Sequence, residues 1–301
     1  MRVVLATNEP WGTYHAEPLV DAAAAAGIEL TQWCPDRKHL PSWPRVTVET
    51  DPAVLARADL VAVNGLLAEH TLAAARAART AGVPLGLVEL AYLSMRPAPE
   101  RFDFAQVLCT SAATLPVAGV HSGVAPGAVE VVGWAGLDRL PARAAEPGLA
   151  LVLSTVSAPT VTGGNASSDS ARLYDAAVEL RAAGWQVIVR PHPREQLSRW
   201  DGFALDQGAT PAVTLARAQI ALGVVGTTAY YTAALGVPLL GIVGTHCPDY
   251  LASLATALDD DVVADQAERA RPVSAEHAAW VVGPVGGAAQ RVCARWLSLA
   301  A

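Results

Sequence analysis

Short apolar runs alternate with alanine-rich segments of helical pattern throughout the first half of this 301-residue sequence. The predicted strands are Val3–Ala6, Leu30–Cys34, Leu60–Asn64, Leu85–Leu90, Val107–Thr110 and Val129–Trp134. The predicted helices between them are Pro18–Ala26, Pro52–Ala58 and Leu66–Ala81. Because strands joined through helices form right-handed crossovers, the pattern predicts a parallel sheet with helices on both faces.

The alternation restarts after Leu140–Gly148, a stretch rich in Pro, Ala and Arg whose composition is typical of an interdomain linker. The later predicted elements are strands Leu149–Ser154, Val187–Val189, Ile220–Val224 and Leu239–Val243, and helices Ser170–Ala183, Thr214–Ala218 and Thr227–Leu235. We therefore predict an α/β fold of two Rossmann-like parallel-sheet domains, residues 1–140 and 149–286, facing a cleft. Residues 287–301 are expected to form a C-terminal helix that packs back on the N-terminal domain.

The charged residues exclude several classes of function. Lys38 is the only lysine, and no glycine loop precedes it, so neither a P-loop nor a Schiff-base enzyme fits the sequence. The formal net charge is −7, and no basic stripe is present to neutralise a phosphate backbone. We expect no nucleic-acid partner, and any phosphate site should be local.

The cysteines and the N-terminal residues indicate where the chain works. Cys34, Cys109, Cys247 and Cys293 form no C-x-x-C pair, which is typical of buried cytosolic thiols. The apolar run at Met1–Ala6 is too short for a signal peptide, and no segment reaches the about 20 apolar residues of a membrane helix. We expect a cytoplasmic protein without an integral membrane segment.

The segment Val187–Glu195 ends a predicted strand in a rigid Pro-His-Pro turn. Its two prolines fix φ, so little entropy is lost in directing His192 at a partner. Arg190 and Arg194 flank the turn, and arginines favour an anion such as a diphosphate. The same residues also fit an ordinary structural turn that carries a surface histidine.

The segment Gly223–Pro238 leads from a strand through glycine into two threonines that begin a helix. The first N–H groups of a helix lack partners, and the positive end of its dipole favours phosphate. Thr227 and Thr228 could therefore bind a phosphate with both hydroxyls and backbone. Simple N-capping of the helix is the alternative.

With these two segments the sequence resembles the GT-B glycosyltransferase superfamily, and within it the nucleotide-binding half of enzymes that carry an HP motif. These include CDP-glycerol glycerophosphotransferases, bacterial polysialyltransferases and capsule Kdo transferases, with UDP-N-acetylglucosamine 2-epimerases as more distant relatives. The matching stretches are Arg190–Arg194, the threonines with Leu235–Pro238, and Val131–Asp138, which looks like the V-x-G-x-x-x-x-D stretch ending the N-terminal domain. The resemblance implies a part in cell-surface polysaccharide biosynthesis.

The resemblance also implies which residues hold the donor. It gives donor-phosphate contacts to Arg190, His192, Arg194, Thr227 and Thr228 in a C-terminal nucleotide-donor domain, and makes the N-terminal domain the acceptor side. Tyr231 stands where many GT-B proteins have a glutamate that accepts the ribose hydroxyls. A phenol can hydrogen-bond a ribose, so Tyr231 is the expected nucleoside contact, although it is a poorer bidentate acceptor than a carboxylate.

Acceptor activation requires a group that takes a proton near neutral pH. Glu9 and His15 follow the first strand, where GT-B proteins place a loop facing the cleft, and a polar loop that caps the next helix is the alternative reading. Glu89 ends an apolar strand at the position of a 2-epimerase glutamate, or forms a buried structural ion pair.

We expect neither a metal nor a cofactor. Asp259–Asp261 contains a D-x-D spacing, but it lies late in the chain among polar residues, as a solvated turn does. Thr162–Asn165 is rich in glycine but lacks the G-x-G-x-x-G spacing of a dinucleotide site. The nucleotide-activated donor is then a substrate.

Three functions follow from these residues. The first is metal-independent transfer of a sugar or phosphoalcohol from a nucleotide-activated donor to a hydroxyl acceptor. The second is isomerisation of the 2-epimerase kind, and the third is nucleotide or sugar binding without catalysis. Neither the acceptor nor the oligomeric state can be read from the sequence.

Overall fold

The computed structural model divides the chain into two compact units, Met1–Arg139 with Val282–Ala301, and Leu140–Val281. The residues that the structure describes are 1–7, 17–35, 45–66, 68–88, 97–155, 166–192, 195, 197–206, 208, 210–245 and 247–299. Within this described part, every helix is too short or too polar to cross a membrane.

The described residues form thirteen strands and eleven α-helices, many of them in alternation. The strands are β1 Arg2–Ala6, β2 Glu29–Trp33, β3 Thr47–Glu49, β4 Leu60–Val63, β5 Leu85–Val88, β6 Gln106–Cys109, β7 Val129–Val131, β8 Leu149–Leu153, β9 Gln186–Arg190, β10 Ala204–Leu205, β11 Ile220–Val224, β12 Leu239–Ile242 and β13 Thr256–Ala257. The helices are α1 Val20–Ala25, α2 Ala53–Ala56, α3 Glu69–Ala81, α4 Leu115–Ser122, α5 Ala166–Ala182, α6 Pro211–Leu215, α7 Thr227–Ala234, α8 Asp249–Ala252, α9 Val263–Arg269, α10 Ala275–Val282 and α11 Ala288–Leu297.

Each unit is built on one parallel sheet, which confirms the predicted fold class. The first unit has seven strands in the order β3-β2-β1-β4-β5-β6-β7, and the second has six in the order β10-β9-β8-β11-β12-β13. The central strands β1, β4, β8 and β11 are almost entirely buried, as expected for a parallel sheet covered on both faces.

The strand order reverses direction once in each sheet. In the first unit the reversal lies between β1 and β4, where Ala6 pairs with Val63. In the second it lies between β8 and β11, where Leu153 pairs with Gly223. Open α/β sheets bind ligands outside the carboxyl ends of the strands at such a reversal. These two edges are therefore the first places to look for a site.

The C-terminal helix α11 belongs to the core of the first unit. Its buried side chains follow one helical face and include Ala288, Val292 and the fully buried Trp296. They pack in one cluster with Val3 and Leu5 of β1. Helix α11 therefore completes one layer over the first sheet.

The stretch Val131–Asp138 fastens this helix. The Asp138 carboxylate accepts hydrogen bonds from the backbone N–H groups of Ala288 and Ala289, each at 2.8 Å, and so caps the start of α11. Arg291 of the same helix donates from Nε to the Val132 carbonyl oxygen at 2.7 Å. In this chain, residues of the V-x-G-x-x-x-x-D pattern thus stabilise the C-terminal helix α11 through hydrogen bonds.

Candidate functional site

Arg190, the last residue of β9, is held by a turn that follows the edge strand β10. Its Nη1 donates to Asp206 Oδ2 at 2.6 Å and to the Gly208 carbonyl oxygen at 2.9 Å. The Asp206 side chain is only 3% exposed, and its Oδ1 also accepts from Thr214 Oγ1 at 2.5 Å. The charge of Arg190 is therefore already paired within the protein.

Burial alone would raise the pKa of Asp206, but its hydrogen bonds with Thr214, Arg190 and the Gly208 amide outweigh burial, and the net effect lowers that pKa. Asp206 thus holds Arg190 as a carboxylate. Burial raises the pKa of the Tyr231 phenol, and the charge of Arg190 partly opposes this effect. The guanidinium at the end of β9 therefore acts electrostatically on the phenol of Tyr231 in α7.

The His192 turn is organised by Glu195. The backbone N–H of His192 donates to Glu195 Oε2 at 3.2 Å, and the Glu195 N–H donates back to the His192 carbonyl oxygen at 2.8 Å. The histidine is partly buried at the carboxyl edge of the sheet. This reciprocal pair fixes the direction in which the backbone leaves β9.

The other carboxylate oxygen of Glu195 connects the turn to three further elements. Oε1 accepts from Ser154 Oγ at 2.8 Å, from Ser170 Oγ at 3.3 Å and from Trp200 Nε1 at 3.0 Å. Ser154 follows β8, Ser170 lies on α5, and Trp200 is a buried core residue. Glu195 therefore ties the His192 turn to the centre of the second unit.

Glu195 was missed in the sequence because its partners lie 5 to 41 positions away. The signal that could have indicated it is a carboxylate three residues after the histidine. Only the three-dimensional structure shows that Glu195 is the acceptor for a buried tryptophan N–H and two serine hydroxyls.

Thr227 and Thr228 begin α7 directly after β11, as predicted. Both are partly buried, and Gly226 before them is extended, with φ −170°. The first backbone N–H groups of any helix have no acceptor within the helix. Thr227 and Thr228 thus combine two hydroxyls with backbone donors at the positive end of a helix dipole.

The register of the second sheet brings the two predicted phosphate segments to one edge. Leu153, the last residue of β8, pairs with Arg190 on one side and with Gly223 on the other. His192 lies two residues beyond Arg190, and Thr227 lies four beyond Gly223. Both segments therefore flank the carboxyl end of the same central strand.

Several predicted site residues lie outside the described part of the chain. They are Glu9, His15, Glu89 and Arg194, together with the Thr162–Asn165 stretch. The Asp259–Asp261 run is described: Asp260 accepts from Arg172 Nε at 2.7 Å, and Asp259 Oδ1 accepts from the Asp261 N–H at 3.1 Å. Two of its carboxylates are thus engaged in local contacts.

The fold of this chain is similar to that of several solved structures. A UDP-GlcNAc 2-epimerase from Neisseria meningitidis, bound to UDP-GlcNAc, is 12% identical with a TM-score of 0.64 and covers 99% of this chain and 100% of its own. The wall teichoic acid polymerase TagF is 7% identical with a TM-score of 0.62, covering 99% and 89%. MurG from Acinetobacter baumannii is 12% identical with a TM-score of 0.60, covering 99% of each.

No family profile matches the sequence, and no curated protein matches it significantly. At identities of 7 to 12%, the structural likeness establishes the fold. Evidence about function must therefore come from the residues at the carboxyl edges of the sheets.

Proposed function

We propose that this chain, which has the GT-B fold of glycosyltransferase-like proteins, transfers a sugar or phosphoalcohol from a nucleotide-activated donor to a hydroxyl acceptor. In this proposal the second unit binds the donor. The observation that carries it is the register of β8, which brings the His192 turn and the start of α7 to one carboxyl edge. That edge is where open α/β folds hold their ligands.

His192, Thr227 and Thr228 would bind the donor phosphate. His192 offers its imidazole ring, and each threonine offers a hydroxyl and a backbone N–H, while the carboxylate of Glu195 keeps the histidine turn in place. Fixed donors aimed at a leaving phosphate stabilise the charge that develops on it as its bond breaks. We propose that this replaces a metal ion in the reaction, and that no cofactor is needed.

Arg190 would act mainly through position. Because its guanidinium is paired with the buried Asp206, it contributes less charge to a ligand than the flanking pattern in the sequence suggests. We propose that Arg190 supports Tyr231, whose phenol is influenced by the charge of the guanidinium, and that Arg194 contacts the donor phosphate. Tyr231 would hydrogen-bond the nucleoside.

Isomerisation of a nucleotide sugar is the second candidate function. One structural neighbour supports it, the Neisseria UDP-GlcNAc 2-epimerase described above. The two reactions differ in their substrates, because an isomerase converts the nucleotide sugar alone, whereas a transferase consumes a second molecule that carries a hydroxyl.

A ligand screen tests the proposal. Thermal unfolding is followed with UDP-GlcNAc, CDP-glycerol, GDP-mannose and CMP-sialic acid, since a ligand that binds only the native state adds about 2.7 kcal/mol at a hundredfold excess over Kd. A shift with one donor, followed by nucleotide release that accelerates when hydroxyl acceptors are added, supports transfer. Conversion of the donor without a second substrate favours isomerisation, binding without turnover favours a binding protein, and no shift with any nucleotide contradicts all three.

A further inference from the structure

The carboxyl edge of the first sheet holds a connected polar cluster at the point where its strand order reverses. Thr7 follows β1 and is fully buried, and its hydroxyl accepts from Gln32 Nε2 at 2.9 Å. The Thr7 carbonyl oxygen contacts Nε2 of His70, the second residue of α3. Thr7 thus links Gln32 of β2 to the histidine at the start of α3.

The Thr7 contact determines which of the two ring nitrogens of His70 carries the proton in the neutral imidazole. A backbone carbonyl can only accept a hydrogen bond, so Nε2 of His70 must be the nitrogen that carries the proton. In a neutral imidazole the other nitrogen, Nδ1, then has a free lone pair. Nδ1 has no hydrogen-bond partner among the described residues, and the ring is partly exposed.

Two hydrogen bonds hold residues that lie between β4 and α3, the helix that carries His70. The Asn64 N–H donates to the Ala6 carbonyl oxygen at 2.9 Å, directly across the strand reversal. His121, which is 1% exposed, accepts from the Leu66 N–H at 3.0 Å through Nε2. Both bonds therefore tie the chain down within a few residues of the start of α3.

A base with one nitrogen oriented by an acceptor and the other open is the arrangement that general-base catalysis requires. Among the described residues, His70 engages one ring nitrogen only, and it lies at the edge of the first sheet, where open α/β folds bind ligands.

We propose that His70 is the general base that deprotonates the acceptor hydroxyl, an inference that rests on the proposed transferase function. Nδ1 takes the hydroxyl proton while the acceptor oxygen bonds to the transferred carbon or phosphorus atom of the donor. The bond from that atom to the leaving phosphate oxygen breaks, and the nucleotide leaves with the electron pair. Thr7 and Gln32 are positioning residues for this step.

The test uses nucleotide release from UDP-GlcNAc and CDP-glycerol, with water as the simplest hydroxyl acceptor. His70→Gln retains an N–H for the Thr7 carbonyl but cannot take up a proton. We expect kcat to fall about 100-fold or more, in the range of lost general-base catalysis, while Kd for the donor changes less than about twofold. His277→Gln, at a partly exposed histidine of the second unit, is the matched control and should leave both unchanged.

Two further measurements separate catalysis from structure. Imidazole added to His70→Ala should restore part of kcat, which a merely structural role would not allow. Nitrogen-15 NMR of the labelled histidines should place the ring proton of His70 on Nε2. A proton on Nδ1 would overturn the proposal.

The outcomes for the two proposals are distinguishable. If the wild-type chain turns over a donor and His70→Gln does so equally well, the inference about His70 is wrong and the transferase function stands. If the wild-type chain binds a donor but never turns it over, a catalytic role for His70 is contradicted. If it binds none of the donors, the proposed function fails, and the role of His70 fails with it.

Discussion

The Glu195 carboxylate accepts the backbone N–H of His192 at 3.2 Å, while the Glu195 N–H returns a bond to the His192 carbonyl oxygen at 2.8 Å. The histidine that the proposed function assigns to the donor phosphate is thus oriented by a neighbour three positions away. Because the same carboxylate also binds Ser154, Ser170 and Trp200, the direction of the turn depends on the packing of the second unit.

Replacing Glu195 by Gln should destabilise the protein and weaken donor binding together. The glutamine amide nitrogen can only donate, so it would face a group that now donates to the carboxylate. That group would lose its acceptor. We expect the free energy of unfolding to fall by about 1–3 kcal/mol, measured by denaturant titration. Glu268→Gln, at an exposed glutamate of α9, should change it by less than about 0.5 kcal/mol. Equal stability of the two variants would contradict the role of Glu195.

The pair formed by Arg190 and Asp206 predicts a dependence of stability on pH. Because the pKa of Asp206 is lowered in the folded state, its contribution is present above the unfolded value of about 3.9 and is lost as pH falls through the folded value. Asp206→Asn cannot be protonated in this way. Between about pH 5 and pH 2, the free energy of unfolding should therefore fall less steeply in Asp206→Asn than in the wild type.

The control for this pair is Asp201→Asn, at an exposed position of the same unit. Asp201→Asn should follow the wild-type curve. At pH 7, Asp206→Asn should cost about 1–3 kcal/mol, because Arg190 and Thr214 lose a charged acceptor. Parallel acid slopes for wild type and Asp206→Asn would show that Asp206 is not held as a carboxylate.

Removing the cap of α11 should loosen the C-terminal helix. In Asp138→Ala the backbone N–H groups of Ala288 and Ala289 lose their acceptors, which costs about 0.5–2 kcal/mol. Amide hydrogen exchange at Ala288 and Ala289 should accelerate, whereas the exposed Asp103→Ala should leave it unchanged. Unchanged exchange in Asp138→Ala would contradict the capping role.

Two glycines just before α11 form a matched pair for substitution. Gly283 and Gly286 have φ of +79° and +80°, so alanine is strained at either. A Cβ at Gly283 would also clash with the Thr110 carbonyl oxygen, while a Cβ at Gly286 meets no atom within 4 Å. We expect Gly286→Ala to cost about 1–2 kcal/mol and Gly283→Ala clearly more, by thermal unfolding. Equal costs would contradict the close approach of Gly283 to Thr110.

The two sheets were predictable because buried parallel strands read as uninterrupted apolar runs. Strand Ile220–Val224 was predicted with both of its observed ends. The other predicted strands differ from the observed ones by one to three residues at one or both ends. The edge strands β3, β10 and β13 were missed, since they are two or three residues long and contain no buried residue. Helix α4 was missed because it contains Pro116 and Gly119, which normally argue against a helix.

The site was predictable only where the chain itself marks it. Pro191 before His192 and the glycine before Thr227 are local signals, and both segments lie at a strand end as expected. Nothing in the neighbouring sequence marks His70, and Glu195 is marked only by its place three residues after the histidine. Their importance arises from Ser154 and Thr7, which are 41 and 63 positions away, and only tertiary structure brings these residues together.

Calorimetric titration of the wild type, His192→Ala and His277→Ala with the nucleotide donor found in the thermal screen tests the central claim most directly. The account predicts saturable binding to the wild type and to His277→Ala, and an affinity at least about tenfold lower for His192→Ala, since a hydrogen bond to a charged phosphate contributes about 1.5–3 kcal/mol. Equal affinities for all three proteins, or no binding of any nucleotide donor to the wild type, would contradict a donor-phosphate site at the carboxyl edge of β9.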